Sequence, residues 1–232
     1  MGSLNFDAVL HGQYLRWLML GGATTVGLFV AALVCGFSIS LVLAAVRALP
    51  YRWVQRLVAG YVNYHRNVPT LVQLFIWYFG IPQLLPTSTS AWINAHNAEF
   101  VFALIALSLN VAAYLSEDLR SGLRAVSQHQ ADTARALGMR HAQVLRHVLL
   151  PQAVRFVVPS LINQALTLFK TTSLAMAIGV AEITYASRQI ENETYRTFET
   201  YAIASAFYLA VSFMIMLAGA FYNRQYPPMT AR

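Results

Sequence analysis

Residues 132–151 read DTARALGMRHAQVLRHVLLP, and apolar runs of the chain flank this polar segment on both sides. Five of its residues are His or Arg: Arg135, Arg140, His141, Arg146 and His147. Gly138 interrupts the segment and Pro151 closes it. Glycine commonly ends a helix and proline cannot continue one, so the pattern predicts a short helix-turn-helix. A membrane protein that keeps such a hairpin between two spans presents it to something on that side.

Composition places the chain in a membrane. Of its 232 residues 57% are hydrophobic and only 11% are charged, with a mean hydropathy of +0.51, whereas soluble domains carry about 25% charged residues. These values predict an all-α membrane protein, one compact domain over residues 1–232 with no room for a soluble catalytic domain. Cys35 is the only cysteine, so neither a disulfide framework nor a metal site is expected. Asp7 precedes the first Arg and no small-residue cleavage site follows, so no cleaved signal peptide is expected.

About five spans are expected, because a crossing needs about 20 mostly apolar residues. The segments are Leu18 to Val46, Thr70 to Leu85, Phe100 to Ser116, Phe156 to Val180 and Tyr201 to Tyr222. In the first, Gly21, Gly22, Gly27 and Gly36 offer close helix contacts. The second is short, so its helix is expected to begin earlier, within Leu57 to His65. The fourth is expected to kink near Pro159.

Two connecting segments have distinct patterns. Arg47 to Arg66 alternates arginines with aromatic and apolar residues, which predicts an interfacial helix that breaks before Pro69. Pro86 to Glu99 is polar and is predicted to be a loop.

The cations predict the orientation. The segments 47–66, 119–155 and 223–232 contain twelve of the sixteen Lys and Arg residues. The positive-inside rule therefore puts them in the cytoplasm, with the N-terminus outside and the C-terminus inside. This placement also explains the net charge of +7 without a nucleic-acid partner.

Inside the polar segment, Ser127 to Leu137 has helical spacing and places Asp132 near the helix start, where an anion suits the helix dipole. A second helix is predicted from His141 to Leu150, ending at Pro151. Its residues Val144, Leu145, Val148 and Leu149 form a narrow apolar stripe that suits a groove in a partner. The alternative is an ordinary surface hairpin between spans.

The spacing of this segment resembles the loop through which permeases of ATP-binding-cassette (ABC) importers receive force from their ATPase, E-A-A-x-x-x-G-x9-I-x-L-P. Every position matches in spacing, and the residues depart at Asp132, Thr133 and Val148. The resemblance implies that residues 127–151 form a coupling loop. Its expected coupling residues are Asp132, Ala134, Gly138, Val144, Leu145, Val148, Leu150 and Pro151.

Further motifs resemble permeases for polar amino acids within this superfamily. They are R-N-V-P-T-L-V-Q at 66–73, A-Y-x-x-E-x-x-R at 113–120, P-Q-A-x-R with a later P and N-Q at 151–164, and K-T-T-S-L at 170–174. The run from Arg66 to Pro86 looks most like glutamate/aspartate permeases. His129, Asp132 and Thr171 depart from the family pattern.

The resemblance implies a set of partners. They are a second permease chain, identical or paralogous, two ATPase subunits, a periplasmic or lipid-anchored amino-acid-binding protein, and the lipid bilayer of a bacterial inner membrane. It also implies that this chain is not an enzyme and holds no cofactor, with ATP and Mg bound by the ATPase. The chain lacks a Walker motif of its own.

Polar and charged residues within the spans are candidates for substrate contact, since burying them in a membrane is costly. The substrate-path candidates are Asn163, Gln164, Lys170, Thr171, Thr172 and Ser173. Lys170 could neutralise a substrate carboxylate, or could bond a neighbouring helix or a second chain. Arg66, Glu117 and Arg120 are expected to form a structural charge group instead. Glu191, Glu193 and Glu199 are expected to face outward.

Three other functions remain open at this stage. A membrane enzyme lacks support, because neither a Gly-x-Ser-x-Gly elbow nor a His-Glu-x-x-His pair occurs in the chain. A secondary transporter or channel usually shows repeats and carboxylates within the membrane. A paralogue that binds the ATPase without transporting is the third possibility.

Overall fold

The computed structural model describes residues 4–95, 97–126 and 128–226. Ser127, where the predicted coupling loop begins, and residues 227–232 of the predicted basic C-terminal segment lie outside this part. Every regular element in the described residues is helical. In chain order the α-helices are α1 Gly12–Arg47, α2 Arg52–Asn67, α3 Thr70–Phe75, α4 Ile81–Leu84, α5 Thr87–Asn94, α6 Ala98–Ala125, α7 Gln128–Ala136, α8 His141–Val144, α9 Leu150–Thr171, α10 Ile183–Thr194 and α11 Thr197–Gln225. π-helical turns occupy Ile76–Gly80 and Leu145–Leu149, and a 3₁₀ segment occupies Thr172–Ile178.

Helices α1, α6 and α11 are each long and apolar enough to cross a membrane. A fourth candidate span is a bent pair of helices, Ala142–Ile178 and Ile183–Thr194, which are long and apolar enough only when taken together and meet at an angle of 49°. Thr70–Leu84 is a shorter apolar helix. Each of the five predicted segments thus falls on a helix, and the predicted all-α membrane fold is confirmed. The predicted polar loop at Pro86 to Glu99 instead contains the short helix α5.

The centre of the bundle is the pairing of α6 with α1 on one side and α9 on the other. A Cβ atom on Gly36 of α1 would lie 2.3 Å from Val111 Cγ1 of α6, and one on Gly122 would lie 2.0 Å from Val157 Cγ2 of α9. Small residues at these points let the helix backbones approach closely, as is usual between membrane helices. Gly27 has no such neighbour within 4 Å, so the close contact predicted there was wrong.

The second apolar segment, Thr70–Leu84, is built from α3, a π-helical turn and α4, and α2 precedes it. Tyr61 of α2 donates to the Leu109 carbonyl at 2.6 Å, and Tyr78 in the following π-helical turn donates to Glu99 at 3.2 Å. Gln73 of α3 contacts Asn110 near the middle of α6, and Tyr78 contacts Glu99 near its start, so the segment from Thr70 to Gly80 runs antiparallel to α6. The prediction that this helix begins within Leu57 to His65 was wrong, because the chain is non-helical at Val68 and Pro69 and the helix begins at Thr70.

A helix, α2, covers most of Arg47 to Arg66, where an interfacial helix was predicted. Helix α2 buries one apolar face, with Val54, Val58, Val62 and His65, against the bundle. A second face, with Trp53, Leu57 and Tyr64, is exposed on the chain. One buried and one exposed face suit the predicted interfacial helix, and the helix ends at Asn67, just before Pro69, as predicted.

The fourth span is continuous at Pro151, where a helix end was predicted. The chain stays helical from His141 through Pro151 and Pro159 to Ile178. The π-helical turn at Leu145–Leu149 directly precedes Pro151, and such a turn accommodates the missing N–H and bulky ring of proline. The second hairpin helix therefore does not end at Pro151. The bend of this span lies at residues 179–182, where Gly179 has a φ of +93°.

One end of the bundle is strongly basic. It contains the end of α1, the starts of α2 and α9 and the end of α6, with Arg47, Arg52, Arg56, Arg120 and Arg124. We call it the basic end. The hairpin formed by α7 and α8 connects α6 to α9 there.

Candidate coupling hairpin and substrate path

The turn between α7 and α8 has the hydrogen bonds of a Schellman motif. Gly138 N–H donates to the Arg135 carbonyl at 2.9 Å, and Met139 N–H donates to the Ala134 carbonyl at 3.1 Å. Gly138 has a φ of +84°, a backbone conformation that glycine adopts without steric cost. On the far side of the turn the Gln143 side chain accepts from Arg140 N–H at 2.8 Å and so caps α8. The turn is thus held on both sides.

A small apolar core joins the two arms of the hairpin. Ala131, Ala134 and Val144 are buried in it, and Met139, Val148 and Leu149 pack around them. Val144 is only 1% exposed. The apolar stripe predicted to fit a partner's groove therefore lies mainly inside the hairpin, because the facing α7 buries it. Ala134 and Val144 consequently shape the hairpin and lie out of a partner's direct reach.

The outer surface of the hairpin offers other groups to a partner. Leu137, at its tip, is 79% exposed, and Leu145 and Leu150 are also exposed. Asp132 is exposed and pairs with Arg135 at 3.4 Å, and Gly138 and Pro151 are exposed as well. Sequence reasoning missed Leu137. Its position next to the glycine that ends α7 was the available signal, since a leucine there projects beyond the helix.

Further into the bundle, α9 carries a polar stripe that its own chain leaves exposed. Asn163, Thr167 and Lys170 are spaced one turn apart and all three are exposed. The Lys170 side chain has no ion-pair partner within the described residues. A stripe of this kind in the middle of a span faces water or another protein chain, because lipid tails offer it no hydrogen bonds.

A narrow polar cleft of about 60 Å³ lies beside this stripe. Its polar lining residues are Thr70, Asn110, Tyr114, Gln164, Thr167 and Thr171. Two of the predicted substrate-path residues, Gln164 and Thr171, are therefore in one cleft with Thr167, next to the stripe that carries Asn163 and Lys170. Thr172 is instead buried and donates to the Phe169 carbonyl at 2.7 Å, and Ser173 donates to the Lys170 carbonyl at 2.8 Å. Those last two hydroxyls are engaged by their own helix.

The wall of this cleft includes a buried amide network that the sequence did not reveal. The side-chain amide of Gln73 donates to the His65 carbonyl at 3.0 Å and to the Val68 carbonyl at 2.8 Å. Its carbonyl oxygen lies 2.7 Å from His65 Nδ1 and accepts from Asn110 at 3.2 Å. Pro69 has no N–H to offer, so Gln73 satisfies carbonyls that the break in the helix leaves free. The proline and glutamine of the R-N-V-P-T-L-V-Q motif thus act together.

A charge cluster lies at the basic end of the same helices. Glu117 pairs with Arg47 through Oε1 and with Arg120 through Oε2, the latter at 3.1 Å to Nε. The expected structural group therefore forms around Glu117 and Arg120, with Arg47 as a member that the sequence did not indicate. Arg66 is not part of it and instead stands over the ring of Tyr114, 5.5 Å from its centroid. That arrangement corrects the predicted pairing of Arg66 with Glu117.

The opposite end of the bundle holds acids that are mostly engaged. Glu199 was expected to face outward, but it is buried, pairs with Arg196 at 3.0 Å and accepts from Asn5 N–H at 3.1 Å. Glu191 accepts from Thr197 and Tyr201, and Glu193 is exposed. Glu182 is fully buried and accepts from Tyr185 N–H at 2.8 Å and Tyr208 at 3.0 Å. These bonds tie α10 to α11 beyond the bend.

Comparison with known proteins identifies the family that has this architecture. Residues 32–227 match the family described as binding-protein-dependent transport system inner membrane component. The chain is 36% identical to the nopaline transport system permease protein of Agrobacterium fabrum, over 93% of this chain and 90% of that protein. It is 29% identical to the glutamate/aspartate import permease protein of Escherichia coli K12, over 91% of this chain and 88% of that protein.

The fold has a counterpart among solved structures. The crystal structure of an amino acid ABC transporter with histidines superposes with a TM-score of 0.85 at 28% identity, covering 97% of this chain and all of that one. The fold is that of a membrane-embedded transport component rather than an enzyme. The chain belongs to the binding-protein-dependent transport system inner membrane component family.

Proposed function

We propose that this chain is the permease subunit of an ATP-driven importer for polar amino acids in a bacterial inner membrane. A separate ATPase, binding ATP and Mg, would drive alternating access through the hairpin of α7 and α8. A second permease chain, identical or paralogous, would complete the path, and a periplasmic or lipid-anchored binding protein would deliver the amino acid. The chain itself would hold no cofactor.

The hairpin carries this proposal. It joins α6 directly to α9, the two helices that line the polar cleft, and no flexible linker separates its second arm from α9. The continuous helix from residue 141 to 178 would transmit a displacement of the hairpin to Gln164, Thr167 and Lys170. The basic end on which the hairpin lies is the cytoplasmic side by the positive-inside rule, with the N-terminus outside and the C-terminus inside.

The polar stripe supports transport over a purely scaffolding role. Asn163, Thr167 and Lys170 are costly to keep exposed within a span unless they face water or a second chain. Lys170 suits a substrate carboxylate. Glutamate and aspartate are the first substrates to test, since the segment from Arg66 to Pro86 resembles their permeases and a relative carries that name.

The test is amino-acid-stimulated ATP hydrolysis by the chain reconstituted with its ATPase and binding protein. We expect Leu137→Asp to lower the stimulated rate about tenfold or more, because a charge replaces an apolar contact at the centre of the interface. Leu137 contributes to no apolar core of the described residues, so the variant should fold. Leu84→Asp is the matched control, since Leu84 is 81% exposed at the other end of the bundle.

The control should keep the wild-type rate within about twofold, as exposed substitutions away from interfaces usually do. Equal rates of stimulated ATP hydrolysis in wild type and Leu137→Asp would contradict the coupling role of the hairpin. Uptake that continues without ATP and collapses with the ion gradient would instead favour the secondary-transporter alternative.

A further inference from the structure

A partly open cavity of about 330 Å³ lies against the charge cluster at the basic end. Its lining residues are Arg66, Glu117, Asp118, Arg120, Ser121 and Arg124, all of them polar or charged. The volume is at the lower end of the range for small-molecule pockets, about 300–1,000 Å³. The cavity is therefore large enough for a compact polar ligand and unsuited to an apolar one.

Within the described residues, some charged groups of this cavity have ion-pair partners and others do not. Both oxygens of Glu117 are occupied, one by Arg47 and the other by Arg120. Arg66 and Arg124 are exposed and form no ion pair within the described residues. Neither guanidinium forms an ion pair there, although Arg66 stands over Tyr114 and interacts electrostatically with Asp118. Both can therefore bind a carboxylate, for which the planar guanidinium fork is well matched.

Asp118 supplies the opposite charge. It lines the cavity, and its Oδ2 atom is buried without a hydrogen-bond donor from the described part of the chain. A buried acceptor without a donor is costly, so a bound cation that donates to it would be stabilised. Position 118 is one of the variable places in the A-Y-x-x-E-x-x-R motif, which is why the sequence did not single it out.

The cavity adjoins the polar cleft. Asp118 interacts with the side chain of Gln164, which lines the cleft, and Arg66 stands over Tyr114, which lines it too. A solute that leaves the cleft toward the basic end would meet these groups next. The cavity therefore lies at the end of the proposed path, at a separate level from Lys170.

We infer that this cavity is a second amino-acid site, at the basic end of the path, which binds the α-carboxylate through Arg66 and Arg124 and the α-ammonium through Asp118. The inference rests on the proposed function, because that function supplies the class of ligand. The α-groups are common to all amino acids, so the site favours an α-zwitterion whatever its side chain.

The test is ligand binding to the full-length chain in lipid nanodiscs, without ATPase or binding protein. Each of the common L-amino acids is added singly, and the apparent Kd is taken from the rise of the unfolding midpoint with concentration. We expect Asp118→Asn and Arg124→Gln each to raise the Kd of the tightest amino acid about tenfold or more, the usual effect of losing a charge-assisted hydrogen bond. Asp7→Asn and Arg52→Gln are matched controls, since both residues are exposed and outside the cavity.

Two derivatives of that amino acid identify the contacts. The N-acetyl form lacks the ammonium and the amide form lacks the carboxylate, so both should bind the wild type more weakly. Asp118→Asn should abolish the penalty of N-acetylation, and Arg124→Gln should abolish the penalty of amidation. Exposed Arg124 takes no part in any described hydrogen bond or ion pair, so this variant keeps the experiment decisive if Asp118→Asn folds poorly.

Several outcomes would overturn the inference. They are no midpoint shift with any amino acid, a shift that both variants leave unchanged, and equal binding of the free and N-acetyl forms, which would make the cavity a simple anion site. Stimulated ATP hydrolysis by the assembled complex separates this failure from that of the proposed function. If amino acids still stimulate ATP hydrolysis, any of these outcomes refutes only the second site. If the wild-type complex shows no stimulation, the importer proposal is refuted.

Discussion

Gln73 compensates for hydrogen bonds that Pro69 cannot make. The Gln73 side chain is 1% exposed. Among the described side chains, only its amide donates to the Val68 carbonyl. We expect Gln73→Leu to lower the free energy of unfolding by about 1–3 kcal/mol, the cost of leaving a buried acceptor without its donor. The measurement is the thermal midpoint of the purified chain in detergent.

Gln83→Leu is the control for this substitution. Gln83 is also a helical glutamine whose amide donates to a backbone carbonyl, that of Phe79 at 2.8 Å, but it is exposed. Water replaces its bond, so the midpoint should change little. A similar drop in both variants would show that Gln73 acts through general helix preference and not through the break at Pro69.

At the level of single residues, sequence reasoning succeeded where partners are close along the chain. Glu117 and Arg120 are three residues apart, and the structure joins them. Arg47, the other partner of Glu117, is 70 residues away, and Asn110 is 37 residues from Gln73. These contacts depend on how α1, α3 and α6 pack, which local patterns do not contain.

At the scale of helices and turns, the hairpin turn gives a prediction in which two glycine substitutions change stability in opposite directions. Gly138 and Gly60 both have open space where a Cβ would lie, but only Gly138 has a positive φ. We expect Gly138→Ala to destabilise the hairpin by about 1–2 kcal/mol, because alanine is strained in that conformation. Gly60→Ala, in the middle of α2, should stabilise the chain by about 0.5–1 kcal/mol through helix preference.

Hydrogen exchange of α7 and α8 measures the first effect, and the thermal midpoint of the chain measures the second. Faster exchange confined to residues 128–149 is the expected result for Gly138→Ala. Unchanged exchange there would contradict the role assigned to the left-handed turn, and a lower midpoint for Gly60→Ala would mean that a neighbour outside this chain contacts α2.

The positions of the apolar helices were predictable, and their number as spans and their ends were less so. Length and apolar content placed each predicted segment on a helix, but only three helices, or four with the bent pair, are long and apolar enough to cross a membrane. Pro151 was expected to end a helix, yet a π-helical turn carries the chain through it. The second span was expected to begin within Leu57 to His65, but the chain is non-helical at Val68 and Pro69 and the helix begins at Thr70. Helix ends thus depend on local backbone geometry as well as on apolar length.

Over the whole molecule, the exposed polar stripe on α9 requires a surface that one chain does not provide. Asn163, Thr167 and Lys170 point away from their own bundle, near the middle of a span. On α11, Leu209 is exposed at a comparable depth and is 70% accessible, as suits contact with lipid. The two faces should therefore differ in their access to water.

Thiol labelling in native membranes measures that difference. In a Cys35→Ala background, which removes the free exposed cysteine, we expect Thr167→Cys to react with a charged maleimide about tenfold or more faster than Leu209→Cys. A thiolate forms readily in a polar path and poorly in hydrocarbon, so the rates report what each face meets. If the second permease chain closes over the stripe, Thr167→Cys should instead form a cross-linked dimer under mild oxidation. Slow labelling and no cross-link at Thr167→Cys would place the stripe against lipid, and the path proposed along α9 would have to be abandoned.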